Sequence, residues 1–322
     1  MSESLLEIKN LSVQYVTVDG IFHAVENLNL ALKPGETLGL VGETGAGKTT
    51  TVKAVMGILP EPPAKLTGGE VFFEGSDLLK RSRREMRRIR GHEISMIFQD
   101  PMTSLNPVMT VGKQIEEAIL LHNKVSRAEA RQQARHMLET VGIKAERAED
   151  YPHQFSGGMK QRVVIAMALA CSPKLLIADE PTTALDVTIQ AQVLELMKRL
   201  KREMNTSMIL ITHDLGIVAD ICDRVAIMYA GEIIEYGTRE DIFHHPTHPY
   251  TRGLFGCIPN MMDEDSELIP IPGMMPDPAN LPAGCRFMPR CAHACERCTG
   301  IPPVVEITPG HFVKCILAEK EV

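Results

Sequence analysis

The sequence predicts an α/β fold with a mostly parallel core sheet, and three short apolar segments are the basis of this prediction. "TLGLVG" (37–42), "KLLIADEP" (174–181) and "SMILITHD" (207–214) each have the length and composition of a buried strand. A helix-like segment follows the first of them, and another, "TIQAQVLELMKRLKREM" (188–204), separates the second from the third. Strand, helix and strand in this order favour parallel strands with helices on the faces of the sheet.

The length and composition indicate a globular protein with one large domain or two smaller ones. The chain has 322 residues and a net charge of −7, which provides no positive footprint for nucleic acid. Its start shows no basic region followed by an apolar stretch, so we expect no secretory signal. The longest uncharged apolar run, 163–171, is about half the ~18 residues that a membrane span needs. We therefore expect a cytosolic protein, and a reducing cytosol disfavours structural disulfides.

"GETGAGKTT" (42–50) is predicted to be a phosphate-binding loop between a strand and a helix. It fits the pattern G-x-x-x-x-G-K-[ST] without a mismatch. Its glycines allow successive N–H groups to turn toward a phosphate, and the following helix N-terminus adds its dipole. Lys48 can reach the β- and γ-phosphates, and the Thr49 hydroxyl can bind Mg²⁺. The nucleotide-binding residues predicted here are Gly42, Glu43, Thr44, Gly45, Ala46, Gly47, Lys48, Thr49 and Thr50.

Two further segments carry polar groups suited to nucleotide chemistry. The apolar run "LLIADEP" ends in Asp179, which can hold Mg²⁺, and in Glu180, which can polarise an attacking water. The alternative is that these two acids only cap the next helix. "FSGGMKQRVVIAMALA" (155–170) opens a helix with a serine and two glycines, a second anion-binding start. Because one nucleotide does not need two such sites from one chain, we expect this one to serve a nucleotide held by a second subunit.

The order of "GETGAGKTT", "FQDP", "FSGGMKQR", "LLIADEP", "TTALD" and "ITHD" resembles the nucleotide-binding subunits of ATP-binding cassette (ABC) transporters. The resemblance spans residues 5 to 240. It implies the ABC ATPase version of the P-loop NTPase fold, with an antiparallel β subdomain and a helical subdomain beside the core sheet. It also implies that ATP and Mg²⁺ are the cofactors and that the reaction is ATP hydrolysis.

The resemblance assigns a role to each matching residue. Lys48 and Thr49 belong to the Walker A loop, and Gln99 links Mg²⁺ and water to the membrane partner. The signature that faces the other subunit's ATP is formed by Ser156, Gly157 and Gly158. The usual signature is Leu-Ser-Gly-Gly-Gln, whereas this chain has Phe155 and Met159 at the two ends. That departure puts in doubt any contribution of the usual glutamine side chain.

Further roles follow from the same resemblance. Asp179 and Glu180 are the Walker B pair, with Glu180 as the catalytic base, and Asp186 lies in the loop that joins the two sites. His213 is the switch histidine that contacts the γ-phosphate. Tyr15 resembles the aromatic residue that stacks on adenine, with an ordinary strand tyrosine as the alternative. The implied catalytic residues are thus Glu180, His213 and Gln99, and the implied Mg²⁺ ligands are Thr49, Gln99 and Asp179.

A narrower resemblance covers nearly the whole chain. "MIFQDPMTSLNPVMTVG", "FHHPTHPYTRGLF" and the cysteine-containing tail resemble the dipeptide and oligopeptide importer branch. This implies a bacterial protein, peripheral on the cytoplasmic face of the inner membrane. Its implied partners are a related but non-identical ABC ATPase, two membrane-spanning permease subunits and an external peptide-binding protein, with no nucleic acid. Nickel importers share much of the ATPase pattern, so a nickel or other solute importer is the alternative.

The domain prediction places an ATP-binding domain at 5–255, with its helical part at about 100–170, and a C-terminal extension at 256–322. The extension is rich in Pro, Met and Cys and has little periodicity. We therefore expect it to need a cross-link, such as a bound metal, to be stable. The resemblance implies that a [4Fe-4S] cluster is bound there. The cysteines that match the family tail are Cys285, Cys291, Cys298 and Cys315, with Cys295 as an alternative ligand. Zinc held by four thiolates is one alternative, and a tail without metal is another.

Two functions of other classes are alternatives. One is an ABC ATPase that acts on nucleic acid with a zinc-binding cysteine module, against which the acidic net charge argues. The other is a regulatory subunit that binds ATP without hydrolysing it. The presence of both Glu180 and His213 argues against that second alternative.

Overall fold

The structure is a computed structural model that describes residues 4–183, 185–257 and 270–320. The strands in chain order are β1 (Leu6–Thr17), β2 (Gly20–Leu32), β3 (Thr37–Val41), β4 (Ala64–Phe73), β5 (Ser76–Asp77), β6 (Ile94–Ile97), β7 (Leu175–Asp179), β8 (Ser207–Thr212), β9 (Arg224–Tyr229), β10 (Glu232–Thr238), β11 (Val304–Thr308) and β12 (His311–Lys314). The α-helices are α1 (Lys48–Met56), α2 (Arg83–Ile89), α3 (Pro101–Ser104), α4 (Val111–His122), α5 (Arg127–Thr140), α6 (Gly157–Leu169), α7 (Val187–Met204), α8 (Leu215–Ile221), α9 (Arg239–His244) and α10 (Pro249–Gly256).

The chain divides into two compact units that interleave along the sequence. The first unit consists of Leu32–Thr37 and Lys80–Ile211, with the residues up to Leu5. The second unit consists of Leu6–Ala31, Leu38–Leu79 and the residues from Thr212 onward. As a result, the phosphate-binding loop belongs to the second unit, and the two carboxylates and the signature belong to the first.

The first unit contains the parallel strands β6, β7 and β8, with β7 in the middle. Every residue of β7 and β8 is buried, as a strand covered on both faces requires. The predictions of a buried strand at 174–181 and another at 207–214 are therefore confirmed. The predicted helix between them is α7, which buries Val193, Met197 and Leu200 along one side. It ends at Asn205, which has the left-handed backbone common at helix ends.

Helices α3 to α6 form the remainder of the first unit between β6 and β7. The basic run at 80–90 lies at the start of the unit and contains α2, which Ser82 and Glu85 cap reciprocally. Met86 is the buried residue of this helix, and its arginines lie toward solvent. This basic run therefore presents a solvated helix face.

The second unit contains an antiparallel group and a mixed group of strands. In the four-stranded sheet, β1 lies between β2 and β4, and it pairs with β4 antiparallel. In the other group the order is β11, β12, β10, β9 and β3, with β3 parallel to β9. Strands β9 and β10 form a hairpin, which turns at Ala230 and Gly231 with positive φ angles of 46° and 89°. The predicted strand at 37–42 is β3, so this prediction is confirmed as well.

The C-terminal tail joins the second unit through strand pairing. β12 pairs antiparallel with β10, with Glu235 opposite Val313 and Tyr236 opposite Phe312. A small cluster of Val313, Cys315 and Ala318 is buried beneath it. The sequence did not predict these strands, because β11 and β12 are short and are stabilised by the neighbouring hairpin rather than by their own periodicity.

No helix in the described part of the chain is long and apolar enough to cross a membrane.

Candidate nucleotide and cysteine sites

The phosphate-binding loop connects β3 to α1 and is closed against its surroundings. Gly47 has φ of 102°, and a Cβ there would overlap the carbonyl oxygen of Ala24. A Cβ at Gly42 would overlap the carbonyl oxygen of Met228. These contacts explain why glycine is required at both positions, since any side chain would displace the loop from the strands beside it.

Lys48 lies within this loop and is only 6% exposed. Its Nζ donates to the carbonyl oxygens of Gly42 at 2.6 Å and of Glu43 at 2.9 Å. Thr51, one turn into the helix, donates from its hydroxyl to the Gly47 carbonyl oxygen at 3.0 Å. The chain thus fixes the amine at the centre of the loop, where an anion binding to the loop N–H groups would meet a positive charge.

Two other predicted nucleotide residues lie in the second unit. The half-buried Tyr15 ring on β1 reaches the start of α1, with its hydroxyl 3.3 Å from Thr50 Oγ1. His213 is exposed between β8 and α8. The next residue, Asp214, caps α8 by accepting the N–H groups of Gly216 and Ile217 at 2.8 and 3.2 Å. The His213 backbone therefore lies just ahead of the N-terminus of α8.

The two adjacent carboxylates in the first unit have different surroundings. Asp179 ends β7 and is 3% exposed. Glu180 follows with a left-handed backbone (φ 47°), a strained conformation for a side chain other than glycine. Its Oε2 accepts from Gln99 Nε2 at 2.9 Å and from Thr183 Oγ1 at 3.0 Å. The structure thus brings Gln99 and Glu180, 81 residues apart in sequence, into direct contact.

The signature segment forms the N-terminus of α6. Ser156 is the N-cap, and its hydroxyl oxygen accepts the Met159 N–H at 3.4 Å. Ser156 and Gly157 are exposed, whereas Gly158 is buried against α7, where a Cβ would overlap Ile189 Cγ2. The second glycine is therefore required by helix packing, and the first leaves the helix end open to an approaching ligand.

Arg147 connects the two residues that depart from the usual signature. Its guanidinium lies 4.2 Å from the centre of the buried Phe155 ring, and its Nη1 lies 3.5 Å from Met159 Sδ. The same side chain bonds Asp150 at 2.7 Å and the Gln154 carbonyl oxygen at 2.9 Å. Phe155 and Met159 thus support the turn ahead of α6, a role that sequence reasoning had not assigned to them.

Two contacts tie α6 and α7 to the segment after β7. The fully buried Gln161 donates from Nε2 to the Pro181 carbonyl oxygen at 2.5 Å. Asp186 caps α7, with its Oδ1 accepting the Ile189 N–H at 2.9 Å. The carboxylate pair and the signature are therefore held by the same helices of the first unit.

The tail gathers four of its five cysteines around one small cavity. Cys285, Cys291, Cys298 and Cys315 line it together with His248 and Phe287. Cys295 is exposed and is not among the lining residues. The set predicted from the family tail is thus the set that the fold brings together, and the extra cysteine lies outside it.

Backbone N–H groups surround the sulfur atoms of these four cysteines. Cys291 accepts from the N–H of His293 at 3.4 Å, and Cys298 accepts from that of Cys295 at 3.5 Å. Cys285 accepts from the N–H groups of Phe287 and Met288, and Cys315 accepts from those of Leu317 and Ala318. Such donors stabilise thiolates and are a recurrent feature around cysteine-ligated metal centres.

Burial acts in the opposite direction on these thiols. It raises the pKa of Cys285 to about 11 and also raises the pKa values of Cys291 and Cys315. Without a cation these thiols are therefore protonated at neutral pH. Within the described ranges, no three His, Cys, Asp or Glu side chains are arranged so that they could hold a metal ion.

His248 is a buried group beside this cavity that sequence reasoning missed. Its Nδ1 accepts the Tyr250 N–H at 3.0 Å, so the neutral ring carries its proton on Nε2. That Nε2 is buried and has no hydrogen-bond partner among the described residues. Burial lowers the pKa of His248 to about 4, although the nearby Glu235 carboxylate acts to raise it. The fold therefore keeps this imidazole neutral at physiological pH.

The fold and the phosphate-binding loop define a P-loop ATPase of the ABC class. Residues 25–183 match the ABC transporter family model, and residues 234–298 match the model of the oligopeptide/dipeptide transporter C-terminal region. The chain is 51% identical over 319 residues to the oligopeptide transport ATP-binding protein OppD of Salmonella typhimurium, covering 98% of this chain and 95% of that protein. It is 52% identical over 321 residues to the dipeptide transport ATP-binding protein DppD of Bacillus subtilis, with coverage of 99% and 96%.

Solved structures agree with this class. The dimeric ABC transporter cassette MJ0796 has a TM-score of 0.65 at 29% identity, covering 73% of this chain and 98% of that one. CbiO1 from Clostridium perfringens, part of the transporter complex CbiONQ, also scores 0.65, at 30% identity, with coverage of 76% and 92%. The chain belongs to the family of oligopeptide and dipeptide ABC transporter ATP-binding proteins. The family and fold predictions from sequence are confirmed.

Proposed function

We propose that the chain is the ATP-hydrolysing motor of an importer for dipeptides or oligopeptides. The observation on which this proposal depends is the Glu180 carboxylate at the end of β7, held by Gln99 and Thr183. A general base must be oriented by neighbours before it can accept a proton from water. The high identity to oligopeptide and dipeptide transport proteins supports peptides as the transported solute.

In the proposed reaction, water attacks the γ-phosphorus of ATP and its proton passes to Glu180. The bond from the γ-phosphorus to the bridging oxygen breaks, and ADP and phosphate leave. The phosphate loop with Lys48 binds the phosphates, Thr49 and Asp179 hold Mg²⁺, and Gln99 orients the water. His213 contacts the γ-phosphate, and Tyr15 stacks on the base. These roles rest on the family and on the positions that the residues occupy within each unit.

The site is completed by a second ABC ATPase subunit. The exposed start of α6, with Ser156 and Gly157, offers backbone N–H groups that suit an anion. In the proposed dimer it closes over ATP bound to the partner's phosphate loop, and Asp186 lies in the loop that joins the two sites. The solved cassette MJ0796 is described as dimeric, including a post-hydrolysis state bound to ADP and phosphate. Removal of the γ-phosphate loosens the dimer and so drives the transport cycle.

The remaining partners follow from the same family. We propose that the chain works on the cytoplasmic face of the bacterial inner membrane with two permease subunits and an external peptide-binding protein. The second ATPase is a related, non-identical chain. Reconstitution with the permease and the binding protein tests this. ATP hydrolysis should rise when di- or oligopeptides are added and should not respond to Ni²⁺, whereas stimulation by Ni²⁺ alone would assign the other importer class.

We further propose that the four tail cysteines hold a [4Fe-4S] cluster. The support for this proposal is that four thiols line one cavity and that each sulfur accepts a main-chain N–H. The four side chains would have to draw closer together to share one metal centre, since no three ligating side chains in the described ranges are already so arranged. When bound, such a cluster supplies four thiolate–iron bonds that tie the strands of the tail to the segment around Cys285. Anaerobic purification followed by iron and labile-sulfide analysis tests the assignment. Stoichiometric zinc would assign the alternative metal, and metal-free protein with a folded tail would refute a metal site.

A further inference from the structure

The cysteine-rich tail contacts the phosphate-binding loop directly through one ion pair. Arg290, the residue before Cys291, places Nη1 2.9 and 3.1 Å from the two carboxylate oxygens of Glu43. Glu43 is the second residue of the phosphate loop. The Arg290 side chain is 6% exposed, and its Nε donates to the Pro272 carbonyl oxygen at 2.8 Å. The Arg290 guanidinium is therefore held by Pro272 on one side and by Glu43 of the loop on the other.

The other side of Glu43 is held by an aromatic cluster that also contains a tail residue. The Glu43 N–H donates to the hydroxyl of the buried Tyr250 at 3.1 Å. Tyr250 packs against Tyr229 at 4.7 Å and against Phe287 at 5.4 Å between ring centres. Phe287 lies two residues after Cys285 and lines the cysteine cavity. Glu43 is thus hydrogen-bonded to Arg290 through its carboxylate and to Tyr250 through its backbone N–H.

Glu43 passes this restraint to the phosphate-binding amine. Its carbonyl oxygen accepts from Lys48 Nζ at 2.9 Å. A charged, hydrogen-bonded pair with one buried member holds its geometry tightly, since releasing either partner leaves an uncompensated charge. A chain of direct contacts therefore runs from the cysteine cavity through Arg290 and Glu43 to Lys48.

We propose that Arg290 is a positioning residue for the phosphate loop. Nucleotide binding and the packing of the cysteine-rich tail against that loop then stabilise each other. This inference rests on the proposed binding of ATP at that loop. An intact tail holds Glu43, and with it the loop backbone, in the shape that accepts phosphate. By thermodynamic reciprocity, bound nucleotide must stabilise the packing of the tail against the loop to the same degree.

The first test measures the dissociation constant of Mg-ATP for the full-length chain by calorimetry. Arg290→Gln and Glu43→Gln should each weaken binding about tenfold, and the double variant should be no weaker than either single one, because both remove the same contact. The matched control is Arg297→Gln, which removes a tail ion pair with Glu319 in which Arg297 is 60% exposed. It should stay within about twofold of the wild type.

Unchanged affinity in both single variants would overturn the inference, and so would losses that multiply to about a hundredfold in the double variant. Should Arg290→Gln fail to fold, Glu43→Gln still decides, because it alters an existing loop residue without adding bulk. A wild-type chain that does not bind Mg-ATP at all would instead refute the proposed function. The two failures are therefore distinguishable.

The second test reads the coupling from the tail. Backbone hydrogen exchange of the segment 285–291, which does not require free thiols, is measured by mass spectrometry with and without saturating Mg-ATP, with the segment around the exposed Cys257 as the internal standard. Nucleotide should slow the exchange of 285–291 about tenfold in the wild type and not in Arg290→Gln. Equal protection in both proteins would contradict the coupling, because a purely structural role of Arg290 would leave it in place.

Discussion

The phosphate loop and the signature segment are both glycine-containing starts of helices, yet the fold treats them differently. The loop surrounds a nearly buried lysine and is pressed against the carbonyl oxygens of Ala24 and Met228. The start of the signature helix α6 leaves Ser156 and Gly157 exposed, whereas the neighbouring Phe155 and Gly158 are buried. The first is enclosed by its own unit, whereas the second is an exposed helix start, as the proposed binding of a partner's nucleotide requires.

This difference shows why glycine content alone does not define a phosphate site. In the loop, glycine is required because neighbouring backbone occupies the position of a side chain. In the signature, a Cβ at Gly157 would meet nothing closer than Leu185 Cδ2 at 3.7 Å. Glycine at that position keeps the helix end accessible rather than fitting it into the fold. The contrast predicts that variants in the two regions fail in different assays.

The largest effect is expected for Glu180, the proposed catalytic base. Glu180→Gln keeps the shape of the side chain and its contacts with Gln99 and Thr183 but cannot accept a proton. Turnover should fall by about 10³-fold, which corresponds to about 4 kcal/mol. ATP binding should persist, and the closed dimer should accumulate in size-exclusion chromatography with Mg-ATP.

The matched control is Glu195→Gln on the exposed side of α7, where the carboxylate is 67% exposed. It should leave turnover unchanged. Near-normal hydrolysis by Glu180→Gln would show that another group is the base.

The buried His248, which lies beside the cysteine cavity, should make the stability of the folded chain depend on pH. His248 has a pKa of about 4 in the folded chain against an ordinary value of 6.5. His248 binds a proton more readily in the unfolded chain than in the folded one. Its contribution to the free energy of unfolding is therefore fully present above pH 6.5, falls as the pH drops and is lost near pH 4. The expected loss is roughly 3 kcal/mol.

Urea unfolding of the full chain between pH 7.5 and 4 measures this loss. His248→Gln should remove that part of the pH dependence, whereas His244→Gln, on the exposed end of α9, should retain it. An unchanged pH profile in His248→Gln would contradict the assignment.

Loss of the loop amine should weaken Mg-ATP binding by the single chain. Lys48→Ala removes the positive charge at the centre of the phosphate loop, and Mg-ATP affinity should fall about 100-fold. Lys53→Ala, in the last turn of the same helix, is the control and should bind normally. Equal affinities for the two variants would mean that the loop does not hold the phosphates.

The smallest effect is expected for the signature cap. Ser156→Ala removes the acceptor for the Met159 N–H and should lower the stability of the first unit by about 1 kcal/mol. Mg-ATP affinity of the isolated chain should not change, because the cap belongs to the other half of the site. Weaker ATP binding by isolated Ser156→Ala would contradict the contrast between the two regions.

Much of this fold could be predicted from sequence because its parts carry local signals. The buried strands β3, β7 and β8 are short apolar runs, and α7 has apolar residues at helical spacing. The phosphate loop is a contiguous motif. The family resemblance added residues such as Gln99 and His213, which have no signature of their own.

Contacts between distant segments could not be predicted in this way. Arg290 and Glu43 are 247 residues apart, and neither position stands out in its own neighbourhood. The role of Arg147 beneath Phe155 and Met159 was hidden for the same reason. The buried imidazole of His248 lies in the segment "HHPTHPYT", where two other histidines give no indication of which one is enclosed. Packing decides these features, and packing is not written in local periodicity.

The most direct test is the rate of ATP hydrolysis per chain, followed during serial dilution until sedimentation shows only monomer. If each protomer supplies one closed and one open half of two shared sites, the specific activity must fall toward zero as the assembly dissociates. A strictly monomeric preparation that hydrolyses ATP at an undiminished rate would contradict the shared site.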